Sequence, residues 1–311
     1  MKTTAVDPRI ATTLKELTQV KHRLHAFQFP PSKKVASRLV GGHLSGFRGR
    51  GLEFEEFRHY QAGDDVRNID WLVTAKTNQP HVREYRQEKD RTVLLCVDQR
   101  SNMYFSTVEI MKSVVAAQVT AALSWQVLQQ SDRAGALVFG TQGLSWFKPR
   151  RSHSELLRLF RLLETENNEL VKRNSETERV TFNSVVQRLL RQKLKGAVIV
   201  VISDFSDYDS ETRFMIRRLQ AHNDLVCVSI QDPMEQELLI QEAICFSDGE
   251  LQVAVDSSFQ EKIDNYNTLW QQHHLSVKQE LQSLGIPYLQ LDTSGQHFSQ
   301  LKQQLSEKVH V

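Results

Sequence analysis

Residues 93–103 read Val-Leu-Leu-Cys-Val-Asp-Gln-Arg-Ser-Asn-Met, an apolar run that stops at a carboxylate. An unbroken apolar run of this length is typical of a strand that is buried on both faces of a parallel sheet. Ligands of open α/β sheets bind beyond the carboxyl ends of the strands, and Asp98 stands at such an end. The stretch therefore predicts an α/β fold and a site at one edge of its sheet.

Strands and helices alternate from Arg91 to the end of the chain. We predict strands at 93–97, 134–139, 144–147, 197–202, 225–230 and 287–291, with Gly140-Thr-Gln-Gly143 closing a hairpin between the second and the third. We predict helices at 108–129, from Ser152, and at 181–191, 209–221, 258–284 and 296–309, and a loop over the polar segment 166–178. This order predicts a mostly parallel, doubly wound sheet with helices on both faces.

The residues before Arg91 lack this alternation, so we predict two domains, 1–90 and 91–311. The first is expected to be a small α+β subdomain. Apolar residues at helical spacing predict a helix over 9–28. Residues 52–60 begin with the alternation of a strand.

Composition narrows the class of protein. The 311 residues are 40% hydrophobic and 24% charged, as in a globular protein with a full core. The net charge of +2 argues against a nucleic-acid-binding protein. Cys96, Cys227 and Cys245 lie in apolar runs and are expected to be buried thiols in a reducing compartment. The sequence lacks a signal-peptide core and an apolar run of about 18 residues, which predicts a cytoplasmic protein.

A second distinctive stretch covers residues 45–71, Ser-Gly-Phe-Arg-Gly-Arg-Gly-Leu-Glu-Phe-Glu-Glu-Phe-Arg-His-Tyr-Gln-Ala-Gly-Asp-Asp-Val-Arg-Asn-Ile-Asp-Trp. Together with residues 93–103 it resembles the bacterial domain-of-unknown-function family 58, whose C-terminal part is a von Willebrand factor A-like domain. The resemblance covers most of the chain, and its specific signature lies near residues 36–90. Many members carry two N-terminal membrane helices, whereas we expect this chain to be a short soluble member. Members are often linked to MoxR-type AAA+ ATPases and to other A-domain proteins.

The resemblance also suggests a metal site. In A domains that bind divalent cations, the strand-end aspartate begins an Asp-x-Ser-x-Ser loop, which a threonine and a second strand-end aspartate complete. Asp98, Asn102, Thr181 and Asp204 are therefore candidate ligands for a weakly bound Mg²⁺. However, Arg100 and Asn102 replace the serines, and a guanidinium beside Asp98 would occupy the place of the cation. We favour an Asp98–Arg100–Asp204 ion-pair cluster that holds neither metal nor cofactor.

The glycine-rich loop of residues 41–51 is a second candidate site. Its glycines resemble a phosphate cradle, but the loop lacks Gly-Lys-[Ser/Thr] and no helix is predicted directly after it. Two other interpretations stay open: a loop whose Arg48 and Arg50 reach neighbouring carboxylates, or a contact for a partner.

Carboxylates cluster between Gly63 and Trp71. Asp64, Asp65 and Asp70 could bind a metal or act as an acid–base pair. A helix cap with an internal Asp–Arg pair explains the same spacing, and we favour that interpretation, with Asp64 and Asp65 at the start of a helix. Trp71 is expected to be a buried anchor.

The resemblance implies a non-enzymatic adaptor or assembly factor, a role inferred by analogy at the level of fold and family. The resemblance implies a MoxR-type AAA+ ATPase as its partner, with other A-domain proteins as further partners. The candidate interaction residues are Arg48, Arg50, Asp98, Arg100 and Asp204. The alternative is a metal-dependent hydrolase that uses the cluster of Asp64, Asp65 and Asp70. We expect no nucleic-acid partner, because the net charge is small and aromatic residues do not cluster.

Overall fold

A computed structural model describes residues 7–23, 52–61, 63–87, 90–172, 180–239, 244–247, 252–255 and 257–308. The chain divides into two units, one formed by Met1–Val35 with Arg91–Val311 and the other by Ala36–Asp90. The division at Asp90 coincides with the predicted domain boundary. The N-terminal segment, in contrast, groups with the larger unit.

The larger unit is built on a six-stranded sheet. Its strands are β3 (Thr92–Gln99), β4 (Arg133–Gly140), β5 (Gly143–Arg150), β6 (Val198–Ser203), β7 (Asp224–Gln231) and β10 (Tyr288–Asp292). They lie in the order β10-β7-β6-β3-β4-β5. The five strands from β10 to β4 run parallel, and β5 pairs antiparallel with β4 at one edge. The fold is therefore α/β with a mostly parallel central sheet, as predicted.

Helices cover both faces of this sheet. One face packs against α1 (Leu14–Gln19), α3 (Lys112–Gln129), α4 (His153–Lys172) and α9 (His297–Lys308). The other packs against α5 (Phe182–Arg191), α6 (Ser210–Gln220) and α8 (Gln260–Ser283). Side chains of β3 alternate between the two cores, so Val93, Leu95 and Val97 face one layer while Leu94 and Cys96 face the other.

Three helix predictions were wrong at their ends. The helix predicted at 108–129 begins at Lys112. The helix predicted at 9–28 begins at Leu14, because Thr13 and Glu16 form a capping box, and it ends at Gln19, where the 3-10 helix Val20–His22 follows. Residues 24–28 of that prediction lie outside the described residues. This first helix, α1, contacts α3, where the indole Nε1 of Trp125 donates a hydrogen bond to the carbonyl of Leu17.

The segment that follows Thr165, predicted to be a loop, continues α4 as far as Lys172. Its polar residues are helical because Glu166 and Asn167 are buried. Glu166 accepts hydrogen bonds from the backbone N–H and the hydroxyl of Thr141, and Asn167 donates to Gln99. The polar sequence pattern therefore suggested a loop, whereas the segment is a helix whose polar side chains form hydrogen bonds in the protein interior.

The smaller unit contains a hairpin of β1 (Leu52–His59) and β2 (His81–Gln87). A short 3-10 helix, Val66–Asn68, and α2 (Trp71–Thr77) lie between the two strands. The strand at 52–60 is confirmed, whereas β2 was not predicted because charged residues interrupt its apolar alternation. Arg48 and Arg50 of the predicted glycine loop lie outside the described residues.

A separate hairpin pairs β8 (Ile244–Ser247) with β9 (Gln252–Val255), after the short helix α7 (Pro233–Gln236). Cys245 lies on β8 and is exposed, so its predicted burial was wrong: this hairpin is not part of the central sheet. Cys96 and Cys227 are buried as predicted, and burial raises the pKa of the Cys227 thiol to about 12. In the described part of the chain, every helix is too short or too polar to cross a bilayer.

Candidate interaction site at the carboxyl edge of the sheet

Three buried carboxylates stand where three neighbouring strands end. Asp98 is the penultimate residue of β3, Asp204 follows β6, and Asp232 follows β7. Parallel strands bring their carboxyl ends to one edge, so the loops after these strands form a common surface. We call this surface, with the strand ends that border it, the carboxyl rim and define it as residues 98–112, 204–209 and 232–239.

Arg100 is enclosed between two carboxylates. Its Nε and Nη2 donate to Asp98 Oδ1 and Oδ2 at 3.0 and 2.7 Å. Its Nη1 and Nη2 donate to Asp207 Oδ2 and Oδ1 at 2.6 and 3.0 Å. Nη1 also donates to the carbonyl of Val180 at 3.1 Å. All five N–H groups of the guanidinium are therefore used, in two bidentate pairs and one backbone bond.

Asp98 has no acceptor site left for another ligand. Besides two bonds from the Arg100 side chain, its carboxylate accepts the Arg100 backbone N–H at 3.1 Å and the Ser203 hydroxyl at 2.7 Å. A carboxylate offers about four lone-pair positions, and all of them are used here. Burial raises the pKa of the Asp98 carboxyl, and the Arg100 guanidinium opposes that rise.

Asp204 is held by a lysine and an asparagine. Lys112 Nζ lies 3.1 Å from Asp204 Oδ2 and 2.6 Å from Glu235 Oε1. Asn102 Nδ2 donates to both oxygens of Asp204 at 2.9 Å, and the backbone N–H of Ser206 donates to Oδ1 at 3.1 Å. This carboxylate also accepts four hydrogen bonds, which again fills its lone-pair positions.

In the cluster of Asp204, Lys112 and Glu235, the opposite charges of Asp204 and Lys112 stabilise each other's ionised forms. Burial alone would raise the pKa of Asp204, but the Lys112 ammonium, the Ser206 N–H and the Asn102 amide outweigh it and lower the pKa. Burial alone would likewise lower the pKa of Lys112, but Asp204 and Glu235 outweigh it and raise the pKa. Lys112 is thus a buried cation that is fixed by two carboxylates.

Asp232 accepts hydrogen bonds from the loops that follow three different strands. Its oxygens accept hydrogen bonds from the backbone and hydroxyl of Thr107, from the hydroxyl of Thr293, and from the backbone of Met234. These partners come from the loops that follow β3, β10 and β7. Their hydrogen bonds outweigh the effect of burial and lower the pKa of Asp232. The carboxylate therefore fixes the relative positions of three loops.

The predicted ion-pair cluster is confirmed in one half and wrong in the other. Asp98 and Arg100 pair as predicted. Asp204, however, pairs with Lys112, and Arg100 makes its second ion pair with Asp207. The reason is that the Arg100 guanidinium extends towards the start of α5, where Asp207 also accepts the backbone N–H of Phe182 at 2.9 Å.

Thr181, a predicted metal ligand, serves as a helix cap. It is the N-cap of α5, and its hydroxyl accepts the backbone N–H of Ser184 in the first turn. Asn102 turns its amide nitrogen, a donor, towards Asp204, so the side chain is oriented as a metal ligand would not be. Across the described ranges, no group of three His, Cys, Asp or Glu side chains has a geometry that could hold a metal ion.

The three carboxylates of the smaller unit, Asp64, Asp65 and Asp70, each bond to different groups. Asp64 pairs with Arg58 at 2.7 Å, and the Arg58 side chain and the Gln61 N–H hold its pKa at about 2. Asp65 caps the 3-10 helix and Asp70 caps α2. The prediction of a cap within this motif is confirmed, but the caps are Asp65 and Asp70, because Arg58 on β1 draws Asp64 away.

Trp71 is not the buried anchor that the sequence predicts. The residue is 67% exposed at the first position of α2.

Lys112 is the main site residue that the sequence did not predict, although one feature of the sequence marked it. It is the only charged residue of Lys112–Gln129, and it stands in the first turn, where the helix dipole disfavours a cation.

The family model described as "Protein of unknown function DUF58" matches residues 56–274. This match covers more than half of the sequence and includes the rim carboxylates. The chain belongs to the DUF58 family. The resemblance is thereby confirmed at the level of the family, and residues 45–55 of the quoted stretch lie outside the match.

Relatives of this DUF58 protein occur in mycobacteria. Uncharacterized protein Rv1480 of Mycobacterium tuberculosis and uncharacterized protein Mb1516 of Mycobacterium bovis are each 26% identical to it over 288 residues. The aligned region covers 92% of this chain and 86% of each relative. The similarity thus extends through both units.

Solved structures resemble the larger part of the fold. The conserved hypothetical protein BatB from Bacteroides thetaiotaomicron aligns with 71% of this chain and 100% of its own, at a TM-score of 0.39 and 10% identity. The SpRpn10 VWA domain aligns with 70% of this chain and 95% of its own, at a TM-score of 0.36 and 13% identity. Both likenesses are weak, and the α/β assignment rests on the strand order of this chain.

Proposed function

We propose that this DUF58 protein is a non-enzymatic adaptor or assembly factor that binds a partner protein through its carboxyl rim. The observation that carries the proposal is the charge network of the rim. Arg100 and Lys112 neutralise the strand-end carboxylates with side chains of the protein itself. A rim built in this way has a fixed shape and does not need a bound cation to assemble.

The exposed part of the rim suits recognition of another protein. Asp207 leaves 37% of its side chain exposed beside the buried Arg100, and Ser206 is exposed next to it. Val108, on the loop after β3, is 54% exposed and supplies an apolar contact. Protein interfaces combine exposed apolar side chains with charges that set specificity and association rate, and the rim supplies both.

The proposed partner is a MoxR-type AAA+ ATPase, with other A-domain proteins as further partners. This choice rests on the DUF58 resemblance, since no residue of the rim specifies an ATPase by its chemistry. A hydrolase that uses Asp64, Asp65 and Asp70 is a weaker candidate. Each of these carboxylates already bonds to an arginine or to backbone N–H groups of its own turn.

The test is surface plasmon resonance against the MoxR-type ATPase of the same organism, in each nucleotide state. Ser206→Arg places a bulky side chain on the rim without removing a charge of the network. It should weaken binding at least tenfold, or about 1.4 kcal/mol. The matched control, Gln19→Arg on α1, adds the same charge on another surface and should bind like the wild type. Arg100 is unsuitable for this test because it is buried.

Binding should also weaken as salt is raised, because rim charges are screened. Treating the DUF58 protein with a chelator beforehand should leave its affinity unchanged. The proposal fails if the wild type does not bind the ATPase in any nucleotide state, or if Ser206→Arg and Gln19→Arg bind equally well.

A further inference from the structure

The ends of α5 and α6 at the amino edge of the sheet carry a cluster of cations. Residues 186–203 and 212–223 contain no aspartate or glutamate. The two segments place six exposed cations on this part of the larger unit: Arg188, Arg191, Lys193, Lys195, Arg217 and Arg218. We call these six residues the basic face.

Asn223 holds the two helix ends side by side. Its Nδ2 donates to the carbonyl of Leu194, and its Oδ1 accepts the backbone N–H of Ala197. The backbone N–H of Gly196 also donates to the carbonyl of His222 at 2.8 Å. The loops that follow α5 and α6 are thus joined, so cations from both helices lie on one surface.

The carboxylates of these helices lie away from the basic face. Asp209 and Glu211 stand at the opposite end of α6, where both accept a hydrogen bond from Asn183. Arg213, in the middle of α6, pairs with Glu280 of α8. Within the described segments, by contrast, no ion pair joins a cation of the basic face to a carboxylate.

Helix stability explains only part of this pattern. Cations in the last turn of a helix complement its dipole, which accounts for Arg188, Arg191, Arg217 and Arg218. Lys193 and Lys195 lie beyond the end of α5, in the loop before β6. The dipole does not account for these two lysines.

An exposed aromatic side chain adjoins the basic face. Phe214 is 63% exposed and stands one helical turn before Arg217 and Arg218, on the same side of α6. An apolar side chain among unpaired cations is the arrangement of helices that lie on a membrane surface, with the ring among the acyl chains and the cations at the headgroups. We propose that the basic face and Phe214 form a binding site for anionic phospholipid surfaces.

A lipid surface fits these residues better than a nucleic acid does. Proteins that bind single strands stack successive bases on several aromatic side chains. Along α5 and α6, which are described in full, Phe214 is exposed and Phe182 is buried in the core. The pair of helices thus offers one aromatic ring among cations, which suits shallow insertion into a charged interface.

The experiment is co-sedimentation of the full chain with vesicles, either of mixed phosphatidylserine and phosphatidylcholine or of phosphatidylcholine alone. Each cation near an anionic surface strengthens binding about fivefold. The triple variant Arg191→Glu, Lys193→Glu, Lys195→Glu should therefore lose binding by at least tenfold. Its control, Lys15→Glu, Lys148→Glu, Lys302→Glu, has the same net charge and should bind like the wild type.

Phe214→Ser is the second variant, because it leaves the charge unchanged and removes only an exposed ring. It should weaken binding to mixed vesicles while thermal unfolding stays as in the wild type. Three results would overturn the proposal. The first is no binding to mixed vesicles even at low salt, and the second is an equal loss in both triple variants. The third is a preference for duplex or single-stranded DNA over vesicles that the basic-face variant abolishes.

Discussion

The ammonium nitrogen of Lys112 lies 3.1 Å from Oδ2 of Asp204, in a position that is 1% exposed. A cation in the first turn of α3 opposes the helix dipole, so its place is set by the carboxylates and not by the helix. Asp98 and Arg100 form the equivalent pair one strand away. In this DUF58 protein, two side chains thus supply the positive charge that the rim carboxylates require.

Removing the Lys112 ammonium should destabilise the protein and open a site for a cation. Lys112→Met leaves Asp204 and Glu235 facing each other with lone pairs free. The loss of one partner of a buried pair should cost about 3–5 kcal/mol. Mn²⁺ should restore part of that stability in the variant and none in the wild type. Urea unfolding with and without Mn²⁺ measures both effects, with exposed Lys15→Met as the control. Wild-type stability in Lys112→Met would contradict this prediction.

Removing the Arg100 guanidinium should make stability depend on pH in a new way. Arg100→Leu leaves the buried Asp98 without its ion pair, at a cost of about 3–5 kcal/mol near neutral pH. Burial raises the pKa of Asp98, and without the guanidinium the main opposing effect is lost and the weaker effect of the Ser203 hydrogen bond remains. The folded variant then binds a proton that the unfolded chain has released. It should therefore be less destabilised at pH 5 than at pH 7.5.

Asp207→Asn is the milder comparison for Arg100→Leu, because it keeps the Asp98–Arg100 pair and changes a partly exposed group. It should cost about 0–1 kcal/mol. Equal destabilisation of Arg100→Leu at pH 5 and pH 7.5, measured by urea unfolding, would show that Asp98 does not take up a proton in the variant.

His297 should make the protein sensitive to acid. Burial lowers the pKa of His297 from 6.5 to about 4. The unfolded chain therefore binds a proton that the folded chain does not, and stability falls as the pH drops from 6.5 towards 4. The full effect is about 3 kcal/mol. His297→Leu should remove this part of the acid sensitivity. Burial also lowers the pKa of His274 to about 4, so the variant should keep the part of the acid sensitivity that His274 contributes.

Urea unfolding at pH 7 and pH 4.5 tests the histidine prediction. Both ring nitrogens of His297 are buried without a hydrogen-bond partner in the described part of the chain, so His297→Leu should not lower stability at pH 7. His222→Leu, at an exposed position, is the control and should leave the acid sensitivity unchanged. An unaltered difference between the two pH values in His297→Leu would contradict the assignment.

The smaller unit should depend on the cap of α2 and not on its tryptophan. The Asp70 carboxylate accepts the backbone N–H groups of Leu72 and Val73, so Asp70→Ala should cost about 1 kcal/mol. Trp71→Ala, at an exposed position, should change stability by less than about 0.5 kcal/mol. Hydrogen exchange of the α2 amides measures both changes. Faster exchange in Trp71→Ala than in Asp70→Ala would reverse the assignment.

Much of the fold was predictable because its strands are apolar and its helices have clear periods. The β-branched residues of the run Ala197–Ile202 favour an inner strand, and the hairpin at Gly140–Gly143 follows from its turn residues. The polar residues Glu166 and Asn167 misled the prediction, since their burial depends on Thr141 and Gln99, which are distant in sequence. A local pattern does not carry that information.

The position of the candidate site in the fold was predictable, but the pairing of its cations with its carboxylates was not. Asp98 and Asp204 are recognisable as strand ends, and Arg100 as a departure from a metal-binding loop. The partners Lys112 and Asp207 come from α3 and from the loop after β6, and only the packing of the larger unit decides which carboxylate each cation reaches.

Calorimetric titration of the wild-type protein with Mn²⁺ tests most directly whether side chains fill the cation positions of the rim. Asp98 and Asp204 each accept four hydrogen bonds from the protein, so we expect no saturable heat of binding. Lys112→Met, in the same experiment, should bind Mn²⁺. A one-to-one dissociation constant in the low micromolar range for the wild type, lost in Asp98→Ala, would show that the wild-type rim holds a cation and that side chains do not fill its place.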